Sequence, residues 1–66
     1  MKIYLEFIEG SSSKFWSVEV DGAAHTVRYG RIGTAGQSKE SSFGSEEDAS
    51  ADAEKQAGKK RKKGYA

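Results

Sequence analysis

The chain has 66 residues, no cysteine, one histidine and a net charge of only +1, and these numbers already exclude several classes of protein. The length corresponds to one small domain, residues 1–66, which leaves no room for a large enzyme with a deep cleft. Disulfides and metal sites built from cysteine or several histidines are excluded. No apolar run approaches the roughly 18 residues that span a bilayer, and no signal-peptide pattern is present. We therefore expect a soluble, cytoplasmic domain without metal, cofactor, membrane or small-molecule ligand.

Three segments alternate apolar and polar residues with the period of two that is typical of half-buried strands. They cover residues 2–7, 14–20 and 23–32. Residues 10–13 separate the first two segments. Asp21-Gly22 separates the second and third, and this dipeptide predicts a type I′ hairpin turn, in which both central residues need positive φ.

The loop lengths predict the registers of both hairpins. A two-residue turn at Asp21-Gly22 places Val18 opposite His25, and a four-residue loop over residues 10–13 places Phe7 opposite Trp16. Both registers collect the same apolar residues on one face, namely Ile3, Leu5, Phe7, Trp16, Val18, Val20 and Val27. The sequence therefore predicts a three-stranded antiparallel meander with Phe7 and Trp16 buried side by side.

A fourth strand and a helix complete the predicted fold. Residues 33–36 predict a tight connection, and residues 37–43 predict a strand at the sheet edge, because β-branched residues are few. Ser45 is typical of a helix N-cap, with Asp48 three residues later. A stripe of Ala49, Ala53 and Ala57 can lie on the sheet. The fold class is α+β, a four-stranded antiparallel meander with one C-terminal helix packed across it.

The C-terminal end of the helix is rich in cations. The helix is expected to end near Lys63, with Gly64 as its stop and Tyr65 folding back as an anchor. Residues 45–54 contain five carboxylates and no base, whereas residues 55–63 contain six bases and no acid. This order complements the helix dipole, which explains the acidic cluster without a metal ion. The consecutive cations Lys59, Lys60, Arg61, Lys62 and Lys63 exceed what capping needs and suggest an anionic partner.

The candidate functional motif is the segment Arg-Tyr-Gly-Arg-Ile-Gly-Thr-Ala-Gly-Gln at residues 28–37. Tyr29 and Arg31 point to the same side of an extended strand because they are two residues apart. A ring beside a guanidinium suits a phosphorylated, stackable ligand, since the ring stacks on a base or sugar while the arginine takes a phosphate or base edge. The alternative interpretation is a strand that leads into a glycine-rich turn, with Tyr29 half buried and Arg31 solvated.

This motif, together with Phe-Gly-Ser-Glu-Glu-Asp-Ala at residues 43–49 and Lys-Lys-Gly-Tyr at residues 62–65, resembles the WGR domain. That family is named for Trp-Gly-Arg and is known from poly(ADP-ribose) polymerases and from bacterial proteins. The resemblance implies an antiparallel sheet crossed by one helix. It also implies that an aromatic residue packs on a terminal sugar of broken DNA, a role that falls on Tyr29. Arg31 and Lys39 take the positions of a contact arginine and a following cation.

The chain departs from the family pattern at two places. Tyr29 stands where the family usually has Trp, and a smaller ring still stacks. Ala53 and Ala57 stand where the family helix usually carries larger apolar residues.

The first functional hypothesis is therefore nucleic-acid binding, most specifically to DNA ends or strand breaks. Its candidate contacts are Arg28, Tyr29, Gly30, Arg31, Gln37, Lys39 and the run at residues 59–63. The second is a protein-interaction module that docks another domain or a second copy through the hairpin tip or the edge strand. An enzyme is not expected, because the glycine spacing matches neither a dinucleotide fingerprint nor a phosphate loop. His25 has no evident nucleophile or carboxylate partner and is expected to be a packed residue.

Overall fold

A computed structural model describes all of residues 1–66 and confirms the α+β architecture. The elements in chain order are β1 (Lys2–Glu9), β2 (Ser12–Asp21), β3 (Ala24–Arg31), β4 (Gln37–Ser42) and α1 (Glu46–Lys62). All neighbouring strands are antiparallel, in the order β1-β2-β3-β4. The helix packs across one side of this meander. It is neither long nor apolar enough to cross a membrane.

Both of the first two hairpins have two-residue turns that begin with glycine. Gly10 and Gly22 have φ values of 58° and 62°, and no non-glycine residue has positive φ. A type I′ turn needs positive φ at both central residues, so these turns have the type II′ pattern, with glycine in the first central position. The turn predicted at Asp21-Gly22 therefore lies one residue later, at Gly22-Ala23. The four-residue loop predicted over residues 10–13 is a two-residue turn.

These turns move both predicted registers by two residues. Val18 pairs with Val27 instead of His25, and Trp16 pairs with Leu5 instead of Phe7, which lies opposite Lys14. The predicted pairing of Phe7 with Trp16 is therefore wrong. A shift of two residues leaves every side chain on its original face, because side chains alternate with a period of two. The predicted apolar face survives although its cross-strand pairs do not.

The hydrophobic core lies between this face and the helix. Its buried members are Leu5, Trp16, Val18, Val20, Val27, Ala49, Ala53 and Ala57, with Ile3, Phe43 and Tyr65 partly buried against them. The three alanines have no exposed surface, so their small side chains let the helix approach the sheet closely. We call the covered side of the sheet the helix side and the opposite, uncovered side the bare face.

Both helix ends are capped by the residues that the sequence predicts. The Asp48 N–H donates to Ser45 Oγ over 3.1 Å. At the other end Gly64 has a φ of 107°. There the Tyr65 N–H donates to the Lys60 carbonyl and the Gly64 N–H donates to the Arg61 carbonyl. These two hydrogen bonds form a Schellman motif, which needs a residue with positive φ.

The residues after the helix return to β1. The Tyr65 ring lies 5.4 Å from the Phe7 ring, which confirms the predicted anchor and gives Phe7 its aromatic partner. Ala66 exchanges two backbone hydrogen bonds with Glu6, of 2.8 and 2.9 Å. The last residue thus pairs with the outer edge of β1.

Candidate nucleic-acid interface

The hairpin between β3 and β4 is held by a close contact between two glycines. A Cβ on Gly30 would lie 2.7 Å from Gly36 Cα, and a Cβ on Gly36 would lie 2.3 Å from the Tyr29 carbonyl oxygen. Gly36 also has a φ of 69°, which favours glycine. Thr34 closes the turn, since its N–H and its hydroxyl both donate to the Arg31 carbonyl. The glycines predicted from the motif therefore fix the backbone that carries Tyr29 and Arg31.

Tyr29 lies on the helix side of the sheet, opposite Trp16 on β2. Its side chain is 44% exposed, and it is the one exposed aromatic residue on this side. The hydroxyl donates to Gln37 Oε1 over 3.2 Å, which restrains the ring. Trp16 lies beside it and is buried. Tyr29 is thus supported by the core on one side while part of the ring remains available to a ligand.

Two grooves flank the Tyr29 ring. The β4 groove has a volume of about 290 Å³ and is lined by Trp16, Tyr29, Lys39, Ser41, Gln56 and Lys60, among others. The tip groove has a similar volume of about 290 Å³ and contains Lys14, Arg31 and Tyr65. Tyr29 and Lys60 line both grooves. The ring is therefore a ridge between two polar concavities, with Lys60 at the boundary.

The cations around Tyr29 have no carboxylate partner. Lys14 lies opposite Arg31 across β2 and β3, and the one ion pair within 4.0 Å in the chain joins His25 and Asp52. Burial lowers the pKa of Lys60, and the positive charges of Lys63 and Lys14 lower it further. Several unneutralised cations in one place create a local positive potential, although the net charge of the chain is only +1.

A partly buried polar network lies at the far end of the β4 groove. His25, which is 2% exposed, places Nε2 at 2.7 Å from Asp52 Oδ2, and Gln56 donates to the same oxygen over 2.7 Å. The hydrogen bonds from His25 and then from Gln56 hold the pKa of Asp52 below its ordinary value. The prediction that His25 is packed is confirmed. The prediction that it lacks a carboxylate partner is wrong, because the fold brings α1 to β3.

The structure divides the predicted contact residues between two sides of the sheet. Tyr29, Arg31, Gln37 and Lys39 lie together on the helix side. Lys59, Lys60 and Lys63 line a further groove along α1, together with Lys55, Asp52 and Gln56. Arg61 and Lys62 are exposed and line none of these grooves. Arg28 lies on the bare face and is separated from Tyr29 and Arg31 by the thickness of the sheet.

A family model for the WGR domain matches residues 1–66, the whole chain. The chain belongs to the WGR family. This family is known as a nucleic-acid-binding module, and a WGR domain is a binding module rather than a catalytic domain. The resemblance read from the motif at residues 28–37 is confirmed.

Two longer proteins are similar to this chain over part of their length. The uncharacterized protein YfeS of Escherichia coli (strain K12) is 34% identical over 65 residues, which cover 98% of this chain and 27% of YfeS. The crystal structure of a Bacteroides fragilis protein superimposes with a TM-score of 0.93 and 41% identity over 100% of this chain and 19% of that protein. The chain therefore spans about a quarter or less of the proteins to which it is similar.

Lys14 is the groove-lining cation that the sequence analysis did not name, and Lys60 was named without its position between the two grooves. Lys14 was missed because its partner on β3 depends on the register, which the turn type decides. The alternation of β2, which puts Lys14 on the same side as Trp16, was the available signal. Lys60 was predicted only as one member of a basic run. Its position between two grooves follows from helix packing, which a single sequence does not reveal.

Proposed function

We propose that this WGR domain binds DNA at strand ends or breaks and that Tyr29 stacks on a terminal sugar or base. The observation that carries the proposal is the exposed Tyr29 ring between two grooves lined by unpaired cations. A base or sugar can lie on the ring, and phosphates on either side can then reach positive charge.

The proposal gives each cation near the ring a role. Arg31 and Lys14 contact the phosphate in the tip groove, where the arginine can form two parallel hydrogen bonds. Lys39 contacts the phosphate in the β4 groove. Lys60 lines both grooves and can serve either phosphate. Gln37 restrains the Tyr29 hydroxyl, while Gly30 allows the turn to pack closely behind the ring.

The helix supplies a second, weaker contribution. Lys59 and Lys63 extend the cationic surface beyond Lys60 along α1. Arg61 and Lys62 add to the long-range field that attracts a polyanion without a defined contact. This arrangement predicts that affinity depends strongly on salt, because each phosphate contact releases a counterion.

The experiment that tests the proposal compares a labelled linear duplex with a closed circle of the same sequence. Tyr29→Ala is expected to weaken binding to the linear duplex about 5-fold to 150-fold, because base stacking on an aromatic side chain is worth about 1 to 3 kcal/mol. Tyr29→Trp should keep or raise the affinity. Tyr4→Ala is the matched control, since Tyr4 is similarly exposed, at 52%, but on the bare face.

Two results would contradict the proposal. Equal affinity of the native domain for the circle and the linear duplex would remove the preference for ends. Equal losses for Tyr29→Ala and Tyr4→Ala would show that binding does not depend on the ring between the two grooves. Circular dichroism of each variant separates a binding defect from unfolding.

A further inference from the structure

The bare face carries a groove of its own, on the opposite side of the sheet from Tyr29. The groove has a volume of about 260 Å³ and lies beside the β3–β4 turn. It is lined by Lys2, Tyr4, Phe15, Ser17, Arg28, Thr34 and Ala35. Phe15 forms the apolar end. It is 6% exposed because the Tyr4 ring stacks on it at 6.1 Å and the hairpin glycines cover it. We call this concavity the Arg28 groove.

The polar end of the Arg28 groove has two cations and a free hydroxyl. Lys2 and Arg28 line this groove and also a smaller concavity of about 130 Å³ beside it. Ser17 lines both concavities as well. The register places Ser17 directly between Tyr4 and Arg28. Ser17 is 9% exposed, and its hydroxyl takes part in none of the side-chain hydrogen bonds of the structure. A nearly buried hydroxyl directly beside Arg28, with Lys2 in the neighbouring cross-strand row, is suited to an anion.

The charges around the groove favour a carboxylate over a phosphate. Glu19 lies opposite Lys2 and lines the smaller concavity, and Glu6 lies on the same face beside Tyr4. A dianionic phosphate would be repelled by them more strongly than a single carboxylate would. One carboxylate can accept both parallel N–H groups of Arg28 and still reach Ser17.

The apolar side chains on the bare face favour a protein partner. Tyr4 is 52% exposed and Ile8, on the same face of β1, is 69% exposed. The core of a protein interface is enriched in tyrosine and arginine, and Tyr4 and Arg28 are both exposed on this face. The hydroxyl of Tyr4 donates to Glu6 over 2.9 Å, which fixes the ring before a partner arrives.

We propose that the Arg28 groove docks an acidic segment of a protein partner, with a carboxylate on Arg28, Lys2 and Ser17 and an apolar neighbour on Tyr4. The site is independent of the proposed DNA contact, because the two lie on opposite faces. One domain could therefore hold nucleic acid and a protein at the same time.

The test uses the peptide acetyl-Asp-Phe-Asp-amide and its neutral counterpart acetyl-Asn-Phe-Asn-amide. Amide signals in ¹H–¹⁵N spectra are followed during titration of the native domain. The acidic peptide should shift the amides of Lys2, Ser17, Arg28 and Thr34, and the neutral peptide should not. Arg28→Gln should weaken the acidic peptide about tenfold, as expected when a hydrogen-bonded charge is removed. Arg31→Gln, an equal change of charge on the helix side, should leave peptide binding intact.

Three outcomes would overturn the inference. One is the absence of shifts at the groove, or equal shifts with both peptides. A second is the finding that inorganic phosphate shifts the same amides at lower concentration than the acidic peptide does. The groove would then be a phosphate site. The third is a DNA duplex that shifts these amides and loses affinity in Arg28→Gln, which would assign Arg28 to nucleic acid. Failure of the DNA proposal itself would appear at Tyr29 and leave this test unaffected.

Discussion

Trp16 connects the hydrophobic core to the candidate interface. It is 2% exposed, pairs with Leu5 on one side and Tyr29 on the other, and forms part of the β4 groove. In a 66-residue domain one side chain of this size is a large share of the core. Its removal should affect folding first and binding only as a consequence.

Trp16→Ala is expected to lower the free energy of unfolding by about 3 to 5 kcal/mol, because a large buried side chain leaves a cavity. Urea denaturation followed by circular dichroism measures this loss. Tyr29→Ala is the comparison. Because the Tyr29 ring is half exposed, this variant should lose considerably less free energy of unfolding. Similar losses for the two variants would mean that Tyr29 is a core residue and would weaken its assignment to a ligand.

Gly36 is the glycine of the motif that tolerates substitution least. A Cβ there would meet the Tyr29 carbonyl oxygen at 2.3 Å, whereas a Cβ on Gly33 would meet nothing within 4 Å. Both residues have positive φ, so a comparison of the two alanine variants separates the contact from the backbone strain. Each should lose about 1 to 3 kcal/mol through strain, and Gly36→Ala should lose more in a thermal melt. Equal melting temperatures would show that the glycine contact is not needed.

The elements themselves were largely predictable, and the pairing between them was less so. Alternation predicted three strands and one shared face, while Ser45 and Gly64 predicted both helix ends. The β2–β3 register was wrong because Asp21-Gly22 fits a type I′ turn, whereas the chain places glycine first in a type II′ turn. The β1–β2 register was wrong because the connection has two residues instead of the predicted four. A turn residue changes register by local backbone geometry, and hydrophobic periodicity does not detect a shift of two.

The basic end of α1 should contribute to binding through one side of the helix only. Lys60→Gln with Lys63→Gln removes two charges that line the helix grooves, and Arg61→Gln with Lys62→Gln removes two that do not. The first pair should flatten the slope of log K against log salt by about 0.9 per lost contact. The second pair should change it much less. Identical slopes in titrations at several salt concentrations would mean that the run acts only through its total charge.

At the scale of the molecule, the two faces of the sheet decide which candidate residues can act together. Tyr29 and Arg31 share a side as their spacing predicted, because strand alternation is a local property. Lys39 joins them through the pairing of β4 with β3, which the sequence did not fix. Arg28 was grouped with them by adjacency in sequence, although neighbouring residues on a strand point in opposite directions. Asp52 and His25 are 27 positions apart in the sequence, and no local sequence pattern predicts a contact over that separation.

The contact between His25 and Asp52 predicts how the stability of the whole domain depends on pH. The pKa of Asp52 is lowered in the folded state from its ordinary 3.8, chiefly by the hydrogen bond with His25. Its contribution is therefore present above that ordinary value and is lost as pH falls through the lower, folded value. Asp52→Asn should destabilise the domain near neutral pH, and this difference should shrink at strongly acidic pH.

Thermal melts from about pH 7 down to about pH 2 measure this difference. Glu54→Gln is the control, since Glu54 is exposed on the same helix and has no ion-pair partner. A gap between the native domain and Asp52→Asn that stays constant across this range would mean that the carboxylate charge is not what stabilises the contact.

The pairing of Ala66 with Glu6 has a consequence for self-association. An antiparallel meander has two open edges, and an unpaired edge can serve as a template for strands of other molecules. On β4 the exposed charges of Lys39 and Glu40 disfavour the pairing of another strand with this edge. On β1, which is eight residues long and has exposed Tyr4 and Ile8, the backbone of Ala66 occupies the middle of the edge. A foreign strand cannot run along the whole of β1 without displacing Ala66, so we expect this pairing to oppose edge-to-edge association through β1.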